Sequence, residues 1–429
     1  MEIILLVGGL ILLTVLGAPI GVAMIMVTVA FISITGVVPL TVVPNQIFSA
    51  LERASLLAIP LFLLTGELMN TGKLTERLLV FSRGARGARS RRSRPVNIVL
   101  SMLFAGMNGS SVADTATVGS ILIPSMKRAG YSAAFSAAIT AVSSTIGGII
   151  PPSIAMVLLA SGAGMSVGGL FAAAMLPGIA IGVGLMVQTY FIARRRGYER
   201  FEEPFGFGRL FAAFRGCFLA LLIPVVLVGG IVFGVFTAGE AGAITAVCAL
   251  LLGLFVYKGF TASSLIDALV RTVKNTSSVF IIIAAAGPFS WLLSRIGVLS
   301  GLEEWMLGFV DDPIMFVVVF VGFILLIGMV MDAVANLIIL GPTLVSVAAA
   351  AGYPEFQAGV VISVGFLIGT ATPPIGVCYF TASYIAQERL ERVALAMVPF
   401  LLLEAAILVL MMVFPGFTMW VPQMLGFAQ

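Results

Sequence analysis

The sequence predicts an all-α membrane protein built as an inverted repeat, with two re-entrant helical hairpins and two broken helices. Three observations predict it. The 429 residues are 60% hydrophobic and only 10% charged, with mean hydropathy +1.16, where a soluble domain carries about 25% charged residues. Two apolar segments are interrupted by the same kind of break, "IGGIIPPSIA" at 146–155 and "IGTATPPIGV" at 368–377. Each break follows a short hairpin-like segment bearing an aspartate, at matched spacing. The long apolar runs, joined by short basic or Gly/Pro-rich connections, indicate a helical bundle rather than a β-barrel. At roughly 20 residues per span, the chain has room for more than about ten membrane segments.

Along the chain, Met1–Ile34 reads as the first span. It is not a cleavable signal, because Glu2 is acidic, no basic region precedes the apolar run, and the run extends to about Pro39. Glu52-Arg53 begins the next span and reads as a local or subunit-interface pair. Basic residues mark cytoplasmic loops. They cluster in "RGARGARSRRSR" (83–94), with six arginines, in "MKRAG" (126–130) and in "ARRRGYER" (193–200), followed by Lys258, Arg271, Lys274, Arg389 and Arg392. The acidic "EEW" (303–305) and Asp311-Asp312 are placed outside. Three stretches, 201–216, 261–276 and 389–397, are amphipathic and basic, as expected of helices lying in the membrane interface or of rigid arms.

Counting crossings gives the hairpins. Arg94 and Lys127 both belong to the cytoplasm, yet only 32 residues separate them, too few for two full spans. Their middle, "NGSSVAD" (108–114), is a turn sequence. Residues 95–129 therefore form a re-entrant hairpin, and 131–165 follow as a broken helix. In the second half, 313–350 repeat the hairpin around "GMVMDAVAN" (328–336), and 354–387 repeat the broken helix. Asp114 matches Asp332 and Pro124 matches Pro342 at an offset of 218; Gly130-Tyr131 matches Gly352-Tyr353 and Pro151-Pro152 matches Pro373-Pro374 at 222. The acidic loop before the second hairpin makes it enter from outside, so the halves are inverted. This is the pattern of a secondary transporter whose irregular backbone lines a cavity near the membrane midplane.

The candidate site follows from that pattern. Opened backbone supplies hard carbonyl ligands for a cation such as Na⁺, and helix N-termini attract an anion. A buried carboxylate is costly in a membrane, so Asp114 and Asp332 either ligate a cation or cap a half-helix. Ser110, Ser111 and Asn336 add neutral oxygens at the tips. Thr370 and Thr372 flank the second break, where Gly148 and Ile150 stand in the first, so two cation sites there are not identical. Glu67, Glu240 and Glu404 are expected to pair with arginines or sit at interfaces. Cys217, Cys248 and Cys378 match no redox or metal spacing and read as buried packing residues. The chain has no histidine, which excludes histidine relays and histidine-bound metals. "NTGKLTE" (70–76) lacks the flanking residues of a P-loop. No convergent catalytic set is present, so an enzyme is not expected, and no transition metal or organic cofactor either.

The segments "GMNGSSVADTATVGSILIPSMKRAGY", "IGGIIPPSIAMVLLA", "GMVMDAVANLIILGP" and "IGTATPPIGV" together resemble the large membrane (M, DctM-like) subunit of tripartite ATP-independent periplasmic (TRAP) transporters. The resemblance covers essentially the whole chain. It implies an elevator-type, Na⁺-driven importer of an organic acid, such as a C4-dicarboxylate or sialic acid, in the bacterial inner membrane. The implied fold is similar to that of divalent-anion/sodium symporters, and a stand-alone symporter of that kind is the alternative. The implied partners are a small membrane subunit (Q-type), a soluble periplasmic substrate-binding protein (P-type) and the lipid bilayer, with no nucleic acid. The implied scaffold is 1–94, 166–312 with interfacial arms, and 388–429; the implied transport domain is 95–165 and 313–387. Two or more co-transported Na⁺ ions are implied. One site would use Ser110, Ser111 and Asp114 with backbone near Gly147 and Gly148. The other would use Gly328, Asp332 and Asn336 with Gly369, Thr370 and Thr372. The substrate carboxylate would lie near Asn108, Ser110, Asp332 and Thr372, between Pro151-Pro152 and Pro373-Pro374.

Overall fold

The structure is a computed structural model, and it describes residues 4–74, 98, 101–102, 109–196 and 207–427. The arginine-rich loop 83–94 and most of the first hairpin's entering arm, Asn108 included, lie outside the described residues. The chain runs α1 (Gly9–Val15), α2 (Ile20–Thr35), α3 (Val42–Leu51) and α4 (Ala58–Thr71). Then come α5 (Ser111–Arg128), α6 (Ala133–Ser143), α7 (Ile146–Ile149), α8 (Ile154–Ala163), α9 (Val167–Arg195), α10 (Phe207–Val232), α11 (Ala238–Leu251), α12 (Ala262–Arg295) and α13 (Val298–Leu307). The second half holds α14 (Pro313–Val330), α15 (Ala333–Ile339), α16 (Gly341–Ala350), α17 (Glu355–Gly369), α18 (Val377–Ala386), α19 (Leu390–Val413) and α20 (Gly416–Met424). Among the described residues, seven helical stretches are long and apolar enough to cross a membrane, or up to nine if each bent pair is one span.

The N-terminus differs from the single span expected. The helix stops after Val15, Gly17 takes φ +91°, and α2 starts behind Pro19. Gly17 supplies a backbone few residues tolerate, and Pro19 has no N–H to continue the ladder. The two helices pack on each other, with Gly9 against Val27. The described basic amphipathic stretches are not separate helices. They open long continuous helices: 262–276 runs into α12, 207–216 into α10 and 390–397 into α19. An apolar face that continues past the basic residues gives the helix no reason to end there. Of the acidic residues placed in or near spans, Glu67 pairs with Arg271 at 3.0 Å as expected. Glu240 closes a capping box with Thr237. Arg53 does not turn to Glu52: its Nη1 donates to the Ser161 carbonyl at 2.7 Å, near the end of α8.

The repeat is written in the packing. The returning arm of the first hairpin, α5, lies on α18, the outgoing half of the second broken helix. The returning arm of the second, α15 and α16, lies on α8, the outgoing half of the first. Likewise α6 meets α19 while α17 meets α9. The entering arms match too: Ser101 Oγ lies 3.1 Å from Ser143 Oγ of α6, and α14 packs along α17. Each half thus completes the other. Around this unit, α2, α3 and α4 gather on α12, and α11 packs on α4 and α10. A separate apolar cluster, built on Met24, Phe31, Phe289 and Leu292, reaches Ala335 and Ile339 of the second hairpin.

Candidate functional site

Both breaks exist where the sequence puts them. The first separates α6–α7 from α8 with a 45° bend, and the second opens the chain over 370–376 between α17 and α18. Both contain a cis Pro–Pro peptide bond, Pro151-Pro152 and Pro373-Pro374. Ser153 restarts the first helix: its hydroxyl caps Met156 N–H and also donates to the Gly148 carbonyl. In the second, Gly376 is held against the carbonyls of Thr370 and Thr372, at 2.6 and 2.8 Å from where its Cβ would stand. No other residue fits that fold of the chain.

The first hairpin tip docks directly on the first break. Gly109, at φ +58°, accepts a hydrogen bond from Ile154 N–H at 3.3 Å. Ser110 caps α5 through the Ala113 N–H. Ser111 Oγ donates to the Thr145 carbonyl at 3.5 Å and faces Gly148. Gly147 faces both Asp114 and the Ser110 carbonyl. The five residues named for one cation site are therefore in one place. Asp114 is fully buried, and neither carboxylate oxygen has a hydrogen-bond partner among the described residues. The hydroxyls of Ser101 and Ser144 lie close enough to act on it electrostatically. A bare buried carboxylate costs several kcal/mol. A ring of hydroxyl, carboxylate and carbonyl oxygens suits a hard cation rather than a soft metal.

The second tip is built from the same parts in another arrangement. Asp332 caps α15, accepting from Val334 N–H at 2.9 Å. Asn336 is fully buried; its Nδ2 donates to the Met331 and Ile327 carbonyls at 3.2 and 3.4 Å, leaving Oδ1 without a partner. Gly328 and Gly369 bring their backbones together with no room for a Cβ between them. Thr370 Oγ1 donates to the Leu367 carbonyl at 2.6 Å and Thr372 Oγ1 to the Ile368 carbonyl at 2.8 Å. The two breaks abut: a Cβ at Gly148 would come within 2.7 Å of Leu367. Pro151 and Pro152 are buried, whereas Pro374 and Ile375 are exposed.

Two residues at this centre were not assigned to it from the sequence. Cys378 lies within electrostatic reach of both aspartates, and its sulfur is 3.6 Å from Thr370 Oγ1. It is a buried packing residue, but it packs between the two tips. Glu404 meets no arginine among the described residues. It is fully buried, and its Oε1 is 2.6 Å from Thr145 Oγ1 at the first break. Only the packing of α19 on α6 brings it there, and spacing carries no signal for that.

Comparison with known proteins agrees with this architecture. Residues 7–417 match the family model of the tripartite ATP-independent periplasmic transporter, DctM component. The chain is 34% identical over 414 residues to the sialic acid TRAP transporter large permease protein SiaM of Vibrio cholerae, covering 96% of this chain and 97% of that one. It is 30% identical over 440 residues to the C4-dicarboxylate TRAP transporter large permease protein DctM of Rhodobacter capsulatus, covering 99% and 100%. Among solved structures, the Alcanivorax borkumensis YdaH transporter superposes with TM-score 0.64 at 15% identity over 88% of each chain, a likeness of fold alone. The chain is a multi-pass inner-membrane permease, not an enzyme. It belongs to the large-permease (DctM) family of TRAP transporters.

Proposed function

We propose that this protein is the large membrane subunit of a Na⁺-driven importer that carries an organic acid across the inner membrane by an elevator movement. One observation carries the reading. At the two hairpin tips, buried oxygens stand without hydrogen-bond partners among the described residues: both of Asp114 and Oδ1 of Asn336. Such groups are costly unless a cation takes them up. Na⁺ is the cargo proposed for each tip, one ion held by Ser110, Ser111, Asp114 and backbone near Gly147 and Gly148. The other is held by Gly328, Asp332, Asn336 and backbone near Gly369, Thr370 and Thr372. The substrate carboxylate lies between them, toward Asn108, Ser110 and Thr372, where α5, α8 and α18 begin, helix N-termini being favourable to an anion. Bound cations order the tips and neutralise the anion. The unit formed by 95–165 and 313–387 then slides against 1–94, 166–312 and 388–429.

The relatives' names point to sialic acid and to C4-dicarboxylates, both of which are carboxylates, and an organic acid of that class is the proposed substrate. A small membrane subunit and a soluble periplasmic binding protein are the proposed partners, the latter delivering the acid. The test is uptake of radiolabelled organic acids into proteoliposomes holding this chain and its small subunit, with and without a Na⁺ gradient and the binding protein. Uptake requiring both is expected. Sodium-driven uptake without the binding protein would move the chain to stand-alone symporters. Uptake indifferent to sodium would end the cation assignment.

A further inference from the structure

Thr145 stands at the first break with two oxygens in reach of its single hydroxyl hydrogen. Its Oγ1 is 2.7 Å from the Val142 carbonyl and 2.6 Å from Glu404 Oε1. A carbonyl oxygen can only accept, and so can an ionised carboxylate. One hydrogen cannot serve both short contacts. They are both satisfied if Thr145 donates to Val142 and Glu404 itself carries a hydrogen and donates to Thr145. We propose that Glu404 is a proton-binding site: a neutral carboxylic acid, buried behind the first helix break, that donates Oε1–H to Thr145.

The surroundings agree. Glu404 is fully buried, and Oε2 has no hydrogen-bond partner among the described residues. An orphan carbonyl oxygen of a neutral acid is far less costly there than an orphan carboxylate. Among the described residues, nothing facing it compensates a charge. Of the helices packed on α19, α6, α14 and α20 carry no titratable side chain. On α17 there is only Glu355, at the first turn. On α18 there are Cys378, Tyr379 and Tyr384, and on α9 Tyr190 with Arg194 and Arg195 in the last turn. On α19 itself, Glu391 and Arg392 lie in the first turns, with Arg389 just before them. None of these forms an ion pair with Glu404, whose side-chain partner is Thr145.

Releasing the proton breaks the Oε1–H bond and leaves a carboxylate. Thr145 must then turn its hydrogen toward Glu404 and abandon Val142, the carbonyl that ends its own helical turn. The Thr145 carbonyl accepts from Ser111 at the hairpin tip, so the rearrangement is felt at the docked tip. The consequence for transport rests on the transporter reading above; the protonation itself does not.

The experiment is infrared difference spectroscopy of the full chain in lipid nanodiscs at neutral pH, comparing wild type with Glu404→Gln. The expected result is a protonated-carboxyl C=O band present in wild type and lost in the variant. A wild-type spectrum with no such Glu404-dependent band would overturn the proposal. If Glu404→Gln does not fold, Thr145→Val serves instead, and the same band should shift in frequency as its hydrogen bond is lost. An unmoved spectrum in Thr145→Val would equally overturn it. In proteoliposomes, Glu404→Gln should flatten the pH profile of sodium-driven uptake. Glu404→Ala, which leaves Thr145 without its donor, should lower uptake roughly tenfold. A Glu404 band without any sodium-driven uptake would refute the sodium-driven reading and leave the proton site standing.

Discussion

Asp114 and Asp332 occupy the same place in the two halves of the sequence and do different local work. Asp332 is the N-cap of α15, with one oxygen committed to the Val334 N–H. Asp114 lies inside the first turn of α5, whose cap is Ser110, and both its oxygens are uncommitted. The helix of the first hairpin starts at Ser111, which matches Met329 at the offset of 218, so the first returning arm begins a turn earlier than the second. The position matching Ser110 is Gly328, which cannot cap and instead packs its backbone on Gly369. The breaks differ as well. The helix entering the first is lined with buried hydroxyls, Ser136, Thr140, Ser143, Ser144 and Thr145; the one entering the second has Gly365, Phe366 and Leu367 where the first has 143–145. At the offset of 222, Glu404 falls on Gly182, so this buried carboxyl belongs to one half only. Duplication supplies two scaffolds for a site. It does not oblige the two sites to use the same groups.

That comparison can be broken most directly at the aspartates. Asp114→Asn should weaken Na⁺ binding about a hundredfold, because it removes the charge from two oxygens with no other partner. Asp332→Asn should weaken it less, about tenfold, since one oxygen is already committed to the Val334 N–H and Asn keeps that cap. Sodium titration of uptake, or of heat released by the purified chain, measures both. Equal losses would mean the two carboxylates play the same part. The glycines come next. Gly369→Ala forces a methyl into the Gly328 backbone and should lower stability by about 1–3 kcal/mol in thermal unfolding. Gly147→Ala meets the Asp114 Cβ at 3.2 Å, a milder approach than at Gly369, and should cost about half as much. Ser110→Ala removes the hydroxyl cap of α5, where the second hairpin is capped by Asp332 instead, and should cost about 1 kcal/mol. The smallest effect is expected at the prolines. Pro342 stands in the first turn of α16, after a 55° bend in the returning arm, while its match Pro124 sits inside the unbroken α5. Pro342→Ala should move stability by less than about 0.5 kcal/mol, because the bend is also held by Gly341 against Leu159.

The breaks and the repeat were legible in the sequence because they depend on composition. Glycine pairs, adjacent prolines and a lone aspartate are conspicuous in an apolar run, and their recurrence at 218 and 222 residues identifies the duplication. The site residues followed from the same signals, and Ser110, Ser111, Asp114, Gly147 and Gly148 do meet. The signal for the N-terminal break, "GAP" at 17–19, was present as well; the length of the apolar run outweighed it. The bend at Leu340 was not legible, since Pro124 in the matching place leaves its helix whole. Nor was the setting of Glu404 and Cys378. Both are fixed by which helices pack together, and residues 145 and 404 are far apart in a chain whose local pattern is uniformly apolar. The basic stretches did not mark separate helices, because charge marks where a helix meets water, not where it ends.

The helix Ala262–Arg295 has 34 residues, about 51 Å at 1.5 Å per residue, against a hydrocarbon layer of about 30 Å. The excess falls in the first part, which carries Asp267, Arg271 and Lys274, charges that keep a helix out of the hydrocarbon. That part is also tethered: Arg271 holds Glu67 and Thr71, each at 3.0 Å. The helix is therefore long enough to cross the hydrocarbon and still project a braced, charged end beyond it.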